Sequence, residues 1–226
     1  MTKKSGLGLY LILISIFIAA LVGCNLIFQK FFIWESPLGL SFELSVGILP
    51  YPITFLVTDI ISEFYGKKWA NKAVVAGLIA SVFMLIVVTI AGAVPATSWS
   101  PVGDEQFNSV FGFSGVAVAA SMLAYLLAQF LDVKMFHFWK RKTKGKHLWI
   151  RNNFSTIGSQ AVDTAAVLLL LCTFGVIDWG LFVALFLNGF LFKVLFAAID
   201  TPLFYGIHYW IRKAYNLKLN ETFVLD

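Results

Sequence analysis

Asp59 and Glu63 stand four residues apart, about one helical turn, in a stretch otherwise apolar enough to lie in a bilayer, residues 38–64. A carboxylate in hydrocarbon costs roughly 2.5–3.5 kcal/mol even on the lenient insertion scale. The same stretch holds Pro50 and Pro52 near its middle, and proline removes a backbone donor and breaks the helical ladder. A helix that served only as an anchor would carry neither feature. A broken, charged membrane helix suits a solute pathway, because loosened backbone and polar tips can face a cavity. Thr58, next to Asp59, adds a hydroxyl to the same segment.

Polar residues recur in three later apolar stretches. Gln129 and Asp132 are three apart and share a helix face. Ser159 and Asp163 share a face at spacing four, with Gln160 beside them. Lys193 and Asp200 align at spacing seven, with Asn188 upstream. Unpaired in lipid these groups would be very costly, so they are expected to point inward and meet.

The elements that must position them follow from composition. Hydrophobic residues make up 59% and charged residues 13% of the chain, where soluble domains carry about 25% charge; mean hydropathy is +0.84. Apolar runs near the ~20 residues needed to span a bilayer occur near 9–29, 38–64, 73–94, 113–137, 155–176 and 180–210. The expected fold class is therefore all-α, a polytopic membrane protein with six transmembrane helices. Residues 1–226 form a single transmembrane domain, because the connections are too short for a soluble one.

Orientation comes from Lys and Arg. Lys3 and Lys4, Lys67, Lys68 and Lys72, the run from Lys140 to Arg151, and Arg212, Lys213 and Lys218 all fall on one side. The other connections hold Lys30 against Glu35, Asp104, Glu105 and Asp178. Such a bias puts the basic side, and both termini, in the cytoplasm. Trp34, Trp69, Trp99, Trp139, Trp149, Trp179 and Trp210 fall at span ends, where amphipathic rings sit at headgroup level. The net charge of +5 then reflects topology, and no nucleic-acid partner is expected.

Leu21-Val22-Gly23-Cys24 imitates a lipoprotein signal, but apolar chain follows instead of a polar tether; an uncleaved first span is expected. Ser15, Ala19 and Gly23 form a small-residue stripe suited to close helix packing, as do Ala120, Ala124 and Ala128. Cys24 and Cys172 are isolated, which argues for packing roles and against a metal.

At ~1.5 Å per residue, Asp59, Asp132, Asp163 and Asp200 fall in the inner half of the membrane, with Asn188 and Lys193 nearer the middle. These acids would face only Lys134 and Lys193, leaving the pathway net negative. Plainer roles stand beside the functional ones. Asp132, beside Lys134 near the inner boundary, reads as interfacial rather than ligand-binding. Glu63 is equally read as solvated at the membrane face. Asp200-Thr201-Pro202 doubles as a structural kink, and Lys193 as a counter-ion for Asp163 or Asp59.

The motif Tyr51-Pro52-Ile53-Thr54-Phe55-Leu56-Val57-Thr58-Asp59, followed by Glu63-Phe64-Tyr65-Gly66-Lys67-Lys68, resembles the signature of the queuosine precursor transporters, also called the vitamin uptake transporter family. Arg151, Ser155, Ser159-Gln160 and Asp163-Thr164, and then Lys193, Thr201-Pro202-Leu203 and Tyr205, are similar to further segments of that family. The resemblance covers nearly the whole chain. It implies a bacterial inner-membrane importer, not an enzyme, that carries 7-deazaguanine bases such as preQ0 and preQ1 and uses no cofactor. The expected partners are the deazapurine and the lipid bilayer, with homodimerisation left open. Asp59, Gln160 and Asp163 would hold the polar edge of the base. Asn188 and Lys193 would complete or neutralise the site, with Thr58, Ser159 and Glu63 alongside. Gln129, Asp132 and Asp200 are further candidates from the residues alone. A carboxylate can accept a ring N–H and an exocyclic amine together, and amides both donate and accept. The break at Pro50 and Pro52 would let the second helix flex.

Two other readings fit parts of the pattern. The membrane component of an energy-coupling vitamin importer also has six spans, but it would dock a motor through small residues at the inner end; here Gly6 and Gly8 are available. Gly112-Phe113-Ser114-Gly115 resembles the GxSG of rhomboid proteases. Its serine would need a histidine within hydrogen-bond reach. His137, His147 and His208 are predicted near the cytoplasmic face, about 30 Å away across the membrane. All of these expectations rest on the acids and amides converging on one sheltered pocket in the cytoplasmic leaflet.

Overall fold

The computed structural model describes residues 6–28, 30–35, 41–112, 115–175, 177–218 and 221–225, and within those not the side chains at 31, 43 and 115–120. The chain runs through α1 (Leu7–Ile27), a hairpin of β1 (Phe31–Glu35) and β2 (Ser41–Ser45), a 3-10 turn at Val46–Ile48, and α2 (Tyr51–Tyr65). It continues through α3 (Lys67–Ala93), a short α4 (Asp104–Phe111), α5 (Gly115–Lys142), α6 (Leu148–Thr173), a second 3-10 turn at Trp179–Leu181, and α7 (Phe182–Tyr215). Among the described residues, five segments are long and apolar enough to cross a membrane: Leu7–Ile27, Val46–Tyr65, Lys67–Ala93, Leu148–Thr173 and Trp179–Tyr215. α5, at 28 residues, is as long as these, about 42 Å.

α2 is the central helix. Every residue from Thr54 to Tyr65 is buried, and α1, α3, α5 and α7 pack around it. Between helices in lipid there is no hydrophobic driving force, so close packing and polar contacts must specify the arrangement. Gly77 of α3 shows how close: a Cβ there would stand 2.6 Å from Phe17 and 2.9 Å from Leu21 of α1. Ala124 and Ala128 of α5 are fully buried and allow similar approach to neighbouring helices; the side chain of Ala120 lies outside the described residues. Ile79, Phe83, Ile86 and Ile90 of α3 are each more than half exposed, a lipid-facing stripe. Gly66 turns α2 into α3 with φ +79°, a conformation costly for any side chain.

Several expectations are corrected. Residues 38–64 are not one helix: Ser41–Ser45 pair with Phe31–Glu35 in an antiparallel hairpin, Trp34 opposite Phe42. Its inner face, Phe32, Trp34, Phe42 and Leu44, packs on Phe192 and Phe196 of α7, so period-two alternation prevailed over the apolar run. Pro50 and Pro52 do not break a helix. Pro50 is the N-cap of α2 and Pro52 lies in its first turn, where a missing donor costs little. The Ser15–Ala19–Gly23 stripe faces away from the bundle: Ser15 and Ala19 are exposed, and the Ser15 hydroxyl donates to its own helix at Leu11.

One end of the bundle collects both ends of the described chain. Tyr65 Oη donates to the Gly6 carbonyl (2.6 Å), Tyr10 Oη to that of Trp69 (3.3 Å), and the Phe223 N–H to that of Phe64 (2.7 Å). The hairpin, the 3-10 turns and α4 belong to the opposite ends of the helices they follow or precede.

Candidate functional site

α6 carries Arg151, Ser155, Ser159 and Asp163 at a strict spacing of four, so one helix face runs through three polar layers stacked along the bundle.

The layer farthest from the termini borders a cavity of about 280 Å³, lined mainly by apolar groups such as Leu21, Leu78, Met84 and Val88. Its polar groups are few and convergent. Lys193 Nζ lies 2.6 Å from Asp163 Oδ2 and donates also to Thr164 Oγ1 at 3.1 Å. Tyr51 Oη donates to the same Asp163 oxygen at 2.8 Å, and the Lys193 ammonium sits 5.1 Å from the centre of the Tyr51 ring. Oδ2 is thus occupied, and no described residue donates to Oδ1. Ser45, Ser81, Ser121 and Tyr125 add hydroxyls to the wall, and Cys24 a thiol.

The middle layer is closed off by the packing around it. Thr58, Asp59, Gln129, Asp132 and Ser159 are all buried. Ser159 Oγ donates to Asp132 Oδ1 at 3.0 Å, and Thr58 Oγ1 reaches Gln129 Oε1 at 3.4 Å. The Asp59 and Asp132 carboxyl groups lie within hydrogen-bonding range of one another.

The third layer is an ionic node on Glu63, whose side chain is fully buried. Lys140 approaches it at 2.8 Å, Arg151 at 2.8 Å, Arg212 at 3.1 Å and His208 at 3.4 Å. Arg151, 1% exposed, also donates to the Gly145 carbonyl at 2.9 Å and stacks its guanidinium 5.7 Å over Phe136. Four helices, α2, α5, α6 and α7, are clamped together at this point.

The expected single pocket is therefore resolved into separate places. Asp163 and Lys193 border the large cavity, which lies toward the hairpin end and not beside the basic end. Gln160 and Asp200 line a cleft of about 20 Å³ on the other side of Tyr51 and Lys193. Asp132 is not interfacial but fully buried, and Glu63 is not solvated but ion-paired. Asn188 is exposed on α7 and lines neither cavity. The acids do not share Lys134, which is exposed; Lys140, Arg151 and Arg212 reach inward instead, their long stems carrying charge to the buried Glu63. Asp200-Thr201-Pro202 lies within an unbroken α7, tied to α6 by Asn153 Nδ2 donating to Thr201 Oγ1 at 2.7 Å.

Residue-level reasoning missed Tyr51, Arg151, Lys140 and Arg212 as site residues. Arg151 was readable from its place in the four-residue series of α6; Tyr51 carried no signal beyond opening the YPxTFLxTD motif. Ser114 lies outside the described residues. His208 is engaged in the node. Among the described residues no set of three or more His, Cys, Asp or Glu is gathered to hold a metal.

Residues 45–207 match the family described as "Putative vitamin uptake transporter". The chain is 28% identical over 166 residues to a protein of Bacillus subtilis named "Probable queuosine precursor transporter", covering 72% of this chain and 70% of that one. It is 30% identical over 128 residues to the "Queuosine precursor transporter" of Escherichia coli, covering 56% of this chain and 54% of that one. No solved structure matches the chain.

Proposed function

This chain belongs to the vitamin uptake transporter family, and we propose that it imports queuosine precursors, 7-deazaguanine bases such as preQ0 and preQ1, across the bacterial inner membrane. The observation that carries this reading is the cavity of about 280 Å³ with Tyr51, Asp163 and Lys193 at its polar side. It lies just below the ~300–1,000 Å³ common for ligand sites, a scale suited to one bicyclic base. Its apolar wall fits the faces of such a base, and Tyr125 offers a ring to stack on it. Asp163 Oδ1, which no described residue donates to, accepts a ring N–H. Cationic preQ1 is drawn to Asp163 in place of Lys193, whereas neutral preQ0 leaves that pair closed.

α5 is the sixth span in this reading, and the Lys and Arg bias puts the Glu63 node and both termini in the cytoplasm. The cavity then faces the outside, with the ion pairs of Glu63 closing the inner end. Import requires those pairs to part while the outer end shuts, an alternation between two arrangements of the helices. The test is uptake of labelled preQ0 and preQ1 by cells that make neither, against an empty vector. Accumulation no greater than the vector's refutes the reading.

A further inference from the structure

Asp59 of α2 and Asp132 of α5 meet between the cavity layer and the Glu63 node, 1% and 0% exposed, their carboxyl groups within hydrogen-bonding range. No other described residue donates to either Asp59 oxygen or to Asp132 Oδ2. Ser159, with Ser155 beside it, holds Asp132 from α6. Two ionised carboxylates offer acceptors and no donor between them. The contact becomes a hydrogen bond only when one of the two carries a proton. The Gln129 carboxamide, one turn before Asp132 and in contact with Thr58, is fully buried and its Nε2 donates to nothing described. The seam is polar, buried and short of one hydrogen.

The charged groups around it are few. Arg151 from α6 and Glu63 from α2 are within Coulombic reach of Asp59. From α7, Lys193 and Arg212 are engaged at Asp163 and Glu63. The buried faces of α1 and α3 carry no carboxylate, Lys, Arg or His; the titratable groups there are Tyr10, which donates to the Trp69 carbonyl, and Cys24, which lines the cavity.

We propose that Asp59 and Asp132 form the proton-binding site of the protein, and that entry of one proton accompanies import of the base. This deepens the importer reading and rests on it. The proton arrives from the outer side, sits as a carboxylic acid hydrogen on one Asp shared with the other, and leaves to the cytoplasm. The site is linked to both of its neighbours. Ser159 is one turn of α6 from Asp163 at the cavity, and Asp59 one turn of α2 from Glu63, about 6 Å along each axis. Loss of the proton leaves a second buried negative charge near Arg151, which then competes with Glu63 for the guanidinium. Departure of the proton and parting of the inner ion pairs thus favour one another.

The test uses the full chain in proteoliposomes with a pH-sensitive dye trapped inside and the membrane potential clamped. Labelled preQ0 and preQ1 are the probes, one neutral and one cationic, so that the charge of the base is separated from that of the proton. Internal acidification on adding base is expected with both. One proton per base across one pH unit, acid outside, supports about tenfold accumulation. A sodium gradient is expected to drive none. Asp132→Asn and Asp59→Asn should lose the dye signal and the pH dependence of base binding. Uptake with no dye response in the wild-type protein, or uptake driven by sodium instead, overturns the proton assignment and leaves the importer reading intact. No uptake of either base under any gradient overturns the importer reading, and the proton site falls with it.

Discussion

Lys193 of α7 and Asp163 of α6 form an ion pair of 2.6 Å that Tyr51 of α2 completes, so three helices meet at the edge of the cavity. Removing one partner leaves a partly buried charge without its counter-charge, at a cost of up to ~3–5 kcal/mol for a fully buried pair. Asp163→Asn and Lys193→Met are each expected to abolish uptake and to lower thermal stability. The double variant Asp163→Asn/Lys193→Gln, which leaves no orphan charge, should recover stability but not uptake. Thermal melts in detergent, set against uptake corrected for membrane abundance, separate the two effects. Recovery of uptake by the double variant would remove Asp163 from the site.

Glu63 predicts the larger structural effect. Its carboxylate is the shared counter-charge of Lys140, Arg151 and Arg212. Glu63→Gln places three like charges together at a buried point, and destabilisation on the order of 3–5 kcal/mol is expected. Combining it with Arg151→Gln should restore part of that loss, because Arg151 is the most buried of the three, 1% exposed. A melt of the double variant no higher than that of Glu63→Gln would show that the node is not held by this pair.

Cys24 gives a chemical probe of the cavity. Its thiol lines the cavity wall, while Cys172, also free and buried, does not. In a Cys172→Ser background, a small permeant maleimide is expected to modify Cys24 and stop uptake, and bound preQ1 to slow the modification. Mass spectrometry reads the labelled fraction. Full labelling with unchanged uptake would place the substrate path elsewhere.

The ends of the described chain meet through Tyr65 with Gly6 and Phe223 with Phe64, which predicts that they lie on one side of the membrane. Alkaline phosphatase fused beyond Leu225 should be inactive and a fluorescent protein there should glow. The same phosphatase inserted at Ser98, in the loop between α3 and α4, should be active. A phosphatase signal at both positions would contradict the orientation.

Much of the membrane character was readable in the order of residues alone. Apolar runs marked helices, because a backbone in lipid must satisfy its own hydrogen bonds. The four-residue series on α6 and the Asp59–Glu63 pair on α2 lay on single faces, because helical period depends on local geometry alone. The hairpin at Phe31–Ser45 was not readable, since a short apolar run fits helix or strand until its neighbours are known. What only the tertiary structure decided was the pairing of charges. Asp59, Asp132, Asp163 and Glu63 look alike in the chain, and each was free to claim Lys134 or Lys193. Their actual partners, another carboxyl group, a lysine with a tyrosine, and a cluster of Lys and Arg, were set by which helices stand side by side. Charge interactions act across space and fall off with distance, so residue order could name the participants but not match them.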